Sequence, residues 1–155
     1  MKQNKPRLVI ASVALATAFA GSLIAFAETT SQDAFDYRKA VMTSLKGHIG
    51  AASMHVRGLV GGQEYLVKHA QGLANGASEL ETLFAAGSNV DGSDALAVIW
   101  EDPEAFEAAI AKSVAATKAF VEAAESGDKA RIGAAFRDVG GSCKGCHDTF
   151  RAPQD

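Results

Sequence analysis

Cysteine is scarce in this chain, and the scarcity excludes several architectures. Only Cys143 and Cys146 occur among 155 residues, so no disulfide framework holds the fold together. Three residues apart on a helix, these two would not bridge without distorting it. A thioredoxin-like redox pair needs a βαβ setting, and no stretch alternates apolar and polar residues over strand length. Structural zinc wants four ligands, and no second cysteine–histidine pair lies at a suitable spacing. An excess of positive charge is also missing: Lys and Arg number 15 against 18 Asp and Glu. That balance argues against nucleic acid and anionic membrane as partners. It fits a soluble carrier or a binding protein.

The long apolar run is at the N-terminus, where it reads as an export signal. Lys2, Lys5 and Arg7 precede an almost wholly apolar or small stretch from Leu8 to Phe26, and Ala25-Phe26-Ala27 supplies an A-x-A cleavage site. An uncleaved anchor is the alternative, but the run is barely long enough to span a bilayer. With residues 1–27 removed, residues 28–155 form one domain of 128 residues, sufficient for its own core. The loss of those three basic residues leaves 12 basic against 18 acidic, a net charge of −6.

What remains shows helical periodicity in four segments. The first, about Asp33 to Gly58, carries Phe35, Met42, Leu45, Ile49, Ala52, Val56 and Leu59 on one line, and Arg38 falls on the same line. From Met42 the steps are 3, 4, 3, 4 and 3, the spacing of a helix packed into a bundle. The second runs from about Gln63 to Phe84 with Leu66, His69, Leu73, Ala77, Leu80 and Leu83 inward. Gly72, Asn75 and Gly76 weaken its middle, where a kink is expected. Residues 85–101 read as a long loop that Ile99 and Trp100 pin to the bundle. The third helix opens on Asp102, Pro103 and Glu104, a capping residue, a first-turn proline and a favourable charge. It buries Phe106, Ile110, Ser113 or Val114, Thr117, Phe120 or Val121, and Ala124, and stops near Ser126-Gly127. Asp128 caps the fourth, whose inner line is Ile132, Phe136, Val139, Cys143, Cys146 and Phe150. The expected fold is all-α, an antiparallel four-helix bundle.

Both cysteines belong to one motif, Cys143-Lys144-Gly145-Cys146-His147. Cys-x-x-Cys-His marks covalent haem attachment: two thiols add to the porphyrin's vinyl groups, and the histidine offers imidazole to the iron. His147 shares the cysteines' side of the helix, being four residues beyond Cys143. The expected cofactor is a single covalent haem c.

The motif's place on the last helix, eight residues from the end, resembles the class II c-type cytochromes, the family of bacterial cytochrome c′ and its low-spin, methionine-ligated relatives. The likeness spans the chain after residue 27. It includes Tyr37-Arg38-Lys39-Ala40-Val41-Met42, Ile99-Trp100, and Val139 to Arg151 with Gly140-Gly141-Ser142 before the motif. The resemblance implies thioether attachment at Cys143 and Cys146, His147 as proximal iron ligand, and a periplasmic location. Arg151 matches a basic residue beside the proximal imidazole; the bland alternative is an arginine favourably placed at its own helix C-terminus. Arg38 matches a residue near the haem propionates, where a guanidinium can pair with carboxylate. Lys39 stands where many relatives have glutamine, which puts a contact from that position in doubt.

Met42 matches the position facing the far side of the iron. A thioether bound there raises the reduction potential and suits one-electron transfer with redox partner proteins of the periplasm. A methionine that only packs nearby, filling space, leaves a vacant apolar site open to NO or CO. His69, on the second helix's inner line, is an alternative ligand or a satisfied core histidine, while His48 and His55 fall off the main stripe and are expected at the surface. A peroxidase would want a distal acid–base group, and the first helix's inner line offers a thioether and aliphatics. The protein is therefore expected to be no enzyme but an electron carrier or a gas-binding haem protein. Relatives commonly dimerise through the first two helices, so Leu59, Val60 and Val67 are candidates for a homodimer contact or for closing the bundle's end.

Overall fold

The computed structural model describes residues 29–153. The proposed export signal, residues 1–27, lies outside the described residues. Helices α1 (Ser31–Val56), α2 (Gln63–Ser78), α4 (Pro103–Ser126) and α5 (Lys129–Phe150) form an antiparallel bundle, and α3 (Val98–Glu101) is a single turn. Each long helix packs on the next: α1 on α2, α2 on α4, α4 on α5. The ring closes loosely, because α5 touches α1 only sparingly. No strand occurs among the described residues, only one isolated bridge between Ala95 and Arg151.

Local chemistry sets the helix ends. Thr30 Oγ1 accepts from the Asp33 amide at 3.1 Å while the Asp33 carboxylate receives the Thr30 N–H at 3.3 Å, a reciprocal capping box. Asp102 accepts from the Ala105 amide at 3.2 Å, with Pro103 in the first turn as expected. Asp128 accepts from the Ala130 and Arg131 amides at 2.8 and 3.1 Å. Gly127 ends α4 at φ 68°, in the left-handed region where a side chain is strained. A Cβ there would also strike Gln63, whose amide donates to the terminal Ala124 carbonyl at 3.0 Å.

The second helix departs from expectation. It continues as one helix through Gly72, Asn75 and Gly76 and stops at Ser78, giving way to a 3₁₀ turn over Leu80–Leu83. The change is visible in the bonding: the Glu79 amide donates to Gly76 O and the Thr82 amide to Glu79 O, both three residues back. Ser78 Oγ meanwhile donates to the Asn75 carbonyl at 2.6 Å, satisfying a group the ended helix leaves free. Two of the glycines in its middle, Gly72 and Gly76, let α1 approach. Leu45 lies over Gly76, and a methyl at 76 would sit 2.7 Å from Leu45 Cδ2.

The core is divided in two. One cluster joins Ala52, Leu66, Leu73, Phe120, Ile132 and Val139 with small neighbours. The other gathers Ile99, Phe106, Ile110 and Phe150. There Phe84, Phe106 and Phe150 stack edge to face at 4.8 and 5.0 Å. As expected, Ile99 and Trp100 tether the loop: Ile99 is buried, and Trp100 Nε1 donates to Phe84 O at 3.0 Å.

Candidate haem site

Between the two clusters lies a cavity of about 550 Å³. Its position explains the loose closure of the bundle, since its walls come from both α1 and α5. From α5 it receives Val139, Cys143, Cys146, His147 and Phe150; from α1, Phe35, Arg38, Met42, Leu45 and Ile49 among others; and from α3 and α4, Ile99, Ser113 and Thr117. The volume is that of a small-molecule or cofactor pocket.

The helical offset of the motif divides its thiols between the clusters. Cys143 packs against the first and Cys146 against the second. Both are free thiols, half-buried, and burial pushes both above the ordinary cysteine range. His147 is half-buried beside them. Its pKa is lowered, first by burial and then by the positive charge of Arg151, with Asp148 opposing. A neutral imidazole suits ligation of iron.

Arg151 follows α5 directly. Its amide donates to His147 O at 3.2 Å, and its backbone pairs with Ala95. Leu96 N donates to Phe150 O at 3.0 Å and Ala152 N to Asp94 O at 2.8 Å, so the loop and the end of α5 are laced together. This lacing holds Arg151 on the cavity wall.

Arg38 sits on the wall as well, 5% exposed. Its Nη1 donates to Leu83 O at 3.1 Å and Ser88 Oγ at 2.9 Å. Its Nη2 donates to Ser88 O at 3.0 Å and Ser93 Oγ at 3.2 Å. The guanidinium lies 4.9 Å from the Phe84 ring centre and 5.4 Å from that of Phe35. Burial lowers its pKa without threatening its charge. Its two Nη groups are thus engaged by the loop, so Arg38 acts as an anchor for residues 83–93. Ser88, almost fully buried, is the partner that sequence periodicity missed, because it belongs to an irregular segment.

Met42 is half-buried, lines the cavity, and belongs to neither core cluster. Lys39 also lines the wall, its ammonium 5.1 Å from the Phe35 ring centre. Ser113 and Thr117 are buried on α4, and their hydroxyls bond to their own helix, Thr117 Oγ1 to Ser113 O at 2.9 Å. His69 is absent from the wall, so the structure does not bring it to the site. Instead it meets His48 and His55, which are half-buried rather than free at the surface.

The donor set fits a haem. An apolar slot lies between two cores, two thiols are one helical turn apart on its wall, and a neutral imidazole adjoins them. Fold and site together define a c-type haem protein of the helical-bundle class. Comparison with known proteins narrows the class. Residues 33–151 match the family described as Cytochrome C′. The chain is 37% identical over 117 residues to the cytochrome c′ of Pararhodospirillum photometricum, covering 75% of this chain and 94% of that one. The crystal structure of cytochrome c′ from Rubrivivax gelatinosus superposes with a TM-score of 0.73 at 30% identity, covering 78% of this chain and 96% of that one. A cytochrome c′ variant from Alcaligenes xylosoxidans in complex with nitric oxide superposes at 0.76 with 28% identity, covering 82% and 99%. Another variant of the same protein was solved with carbon monoxide bound. The chain belongs to the cytochrome c′ family of class II c-type cytochromes, and covalently bound haem c is its cofactor.

Proposed function

We propose that this protein binds a small neutral diatomic ligand, nitric oxide or carbon monoxide, in the bacterial periplasm after loss of residues 1–27. Cys143 and Cys146 hold the haem through thioethers, and His147 provides the protein ligand to its iron. The bound iron supplies a Lewis-acidic, redox-active centre for such ligands. The observation that carries the reading is the α1 wall of the cavity: Met42, Leu45 and Ile49 face it, and α1 lends it no histidine or carboxylate. The apolar stretch of Met42, Leu45 and Ile49 disfavours charged ligands by desolvation, although Arg38, Lys39 and Lys46 also line this side of the cavity, and it offers no histidine or carboxylate for peroxidase acid–base chemistry. The nitric oxide and carbon monoxide complexes of the Alcaligenes protein support it. Arg151, beside His147, favours the reduced state and anionic character on the proximal side. With Arg38's Nη groups bonded to the loop, a propionate contact from that residue falls to Nε.

A second reading, an electron carrier with His147 and Met42 both bound to iron and a periplasmic redox protein as partner, is favoured by one observation. Met42 turns to the cavity and takes no part in either core. Absorption spectra of the ferric and ferrous protein separate the two. A broad high-spin spectrum that shifts on adding carbon monoxide supports the first. A sharp low-spin spectrum that becomes high-spin in Met42→Ala, and only there responds to carbon monoxide, supports the second and overturns the first. Leu59 and Val60, both exposed in the turn after α1, are the residues offered to a homodimer contact; sedimentation of the L59S/V60S variant tests it.

A further inference from the structure

Between α1 and α2, outside the lining of the haem cavity, three histidines gather. His48 Nδ1 lies 3.1 Å from His69 Nδ1, with ring centres 5.4 Å apart, and the His55 ring centre is 6.1 Å from that of His69. None of the three lines the cavity. His48 and His55 are seven residues apart, two turns along one face of α1, and His69 reaches across from α2. All three are half-buried, open enough to admit a solvated ion.

The helix pair is shaped around this contact. Gly72 lies one turn after His69, and the His48 ring rests where a side chain at 72 would stand: a Cβ there would be 2.4 Å from His48 Cε1 and 2.5 Å from Nε2. With Nε2 turned to Gly72, Nδ1 is left facing His69. Two imidazole nitrogens in such contact cannot both carry a proton, since at least one must accept. At least one lone pair therefore points into this contact, and two do so when both rings carry their proton on Nε2. Two metal–nitrogen bonds of roughly 2.0–2.1 Å, meeting at an angle between square and tetrahedral, span about 2.8–3.4 Å. The observed 3.1 Å falls within that bite. Among the described residues no three ligating side chains converge on one point, so the preformed part is the pair.

We propose that His48 and His69 form a second metal site, independent of the haem, taking a borderline divalent transition ion such as Zn²⁺, Cu²⁺ or Ni²⁺ through both Nδ1 atoms. Water fills the remaining positions, and His55 is the nearest further imidazole. Imidazole donors select these ions over Mg²⁺ and Ca²⁺, which take oxygen. Binding leaves both rings as Nε2–H tautomers, any Nδ1 proton having passed through solvent to the same ring's Nε2, and clips α1 to α2.

The test is calorimetric titration of the haem-loaded protein with Zn²⁺, paired with Cu²⁺ electron paramagnetic resonance to count bound nitrogens. One ion per chain is expected, with hyperfine structure from two or three imidazoles. His48→Gln and His69→Gln should each weaken binding at least tenfold with the haem spectrum and helical content unchanged, and His55→Gln should weaken it less than either. Affinity unchanged in either of the first two variants, or the absence of nitrogen hyperfine structure in the native protein, overturns the proposal.

Discussion

Replacing Arg38 by methionine tests the idea that this residue is first a structural anchor. Methionine keeps an unbranched stem of similar reach and removes only the guanidinium. The change deletes four hydrogen bonds and leaves the Leu83 and Ser88 carbonyls, both beneath the loop, without their donor. At about 1 kcal/mol net for each bond, the gross loss is about 4 kcal/mol. Roughly 1 kcal/mol returns because a charged group no longer has to be desolvated, giving a destabilisation of about 3 kcal/mol. For a domain of this size that lowers Tm by about 10 °C. Thermal unfolding of the haem-loaded protein followed by circular dichroism measures it, and limited proteolysis should show earlier cutting between residues 84 and 97. Arg38→Lys should recover little, since one ammonium cannot fork to acceptors on both Ser88 and Ser93. A fall of less than about 3 °C in Arg38→Met would refute the anchoring role.

Other substitutions probe separate links. Gly127→Ala forces a side chain into φ 68° and displaces the Gln63 cap, so urea denaturation should show a loss of about 2 kcal/mol, while Gly140→Ala, with open space around it, should lose nothing comparable. The Cys143→Ala/Cys146→Ala double variant should release all its haem to acidified acetone, whereas either single variant should retain a haem-staining band on a denaturing gel. Phe120→Ala, at the centre of the larger cluster and fully buried, should cost about 3–5 kcal/mol of unfolding free energy. His69 has a folded pKa depressed by burial and then by His48 and His55, so the folded state resists protonation. The unfolded chain binds the proton first, and stability should decline as pH falls below the ordinary histidine value of roughly 6.5. Tm measured from pH 8 to pH 5 should therefore fall less steeply in His69→Gln than in the native protein.

The boundaries of the last two helices and the cofactor were legible because their causes are local. Asp102-Pro103 and Asp128 announce helix starts through their own backbone chemistry, and Ser126-Gly127 announces a stop. Cys143 to His147 is a complete reactive unit within five residues. Apolar spacing along α1 and α5 likewise needs no partner to be read, and it set Met42, Cys143 and Cys146 facing inward before any packing was known.

What packing alone decided lies between residues far apart in the chain. Nothing near Arg38 reveals that Ser88 and Ser93 will receive its guanidinium, because the loop between helices has no periodicity to mark them. The end of α2 at Ser78 rather than Phe84 was hidden for a related reason. Leu80 and Leu83 keep the inward spacing through a 3₁₀ turn, so hydrophobic pattern cannot register the change of helix type. The histidines illustrate the same limit most clearly. Each was placed from its own helix alone, two at the surface and one in the core. Only the close approach of α1 and α2 at Gly72 and Gly76 set His48 against His69. By itself the sequence determined that two thiols and an imidazole share one wall of a helical bundle. The tertiary structure decided that the wall encloses a slot between two cores, because a cavity is the property of several helices at once.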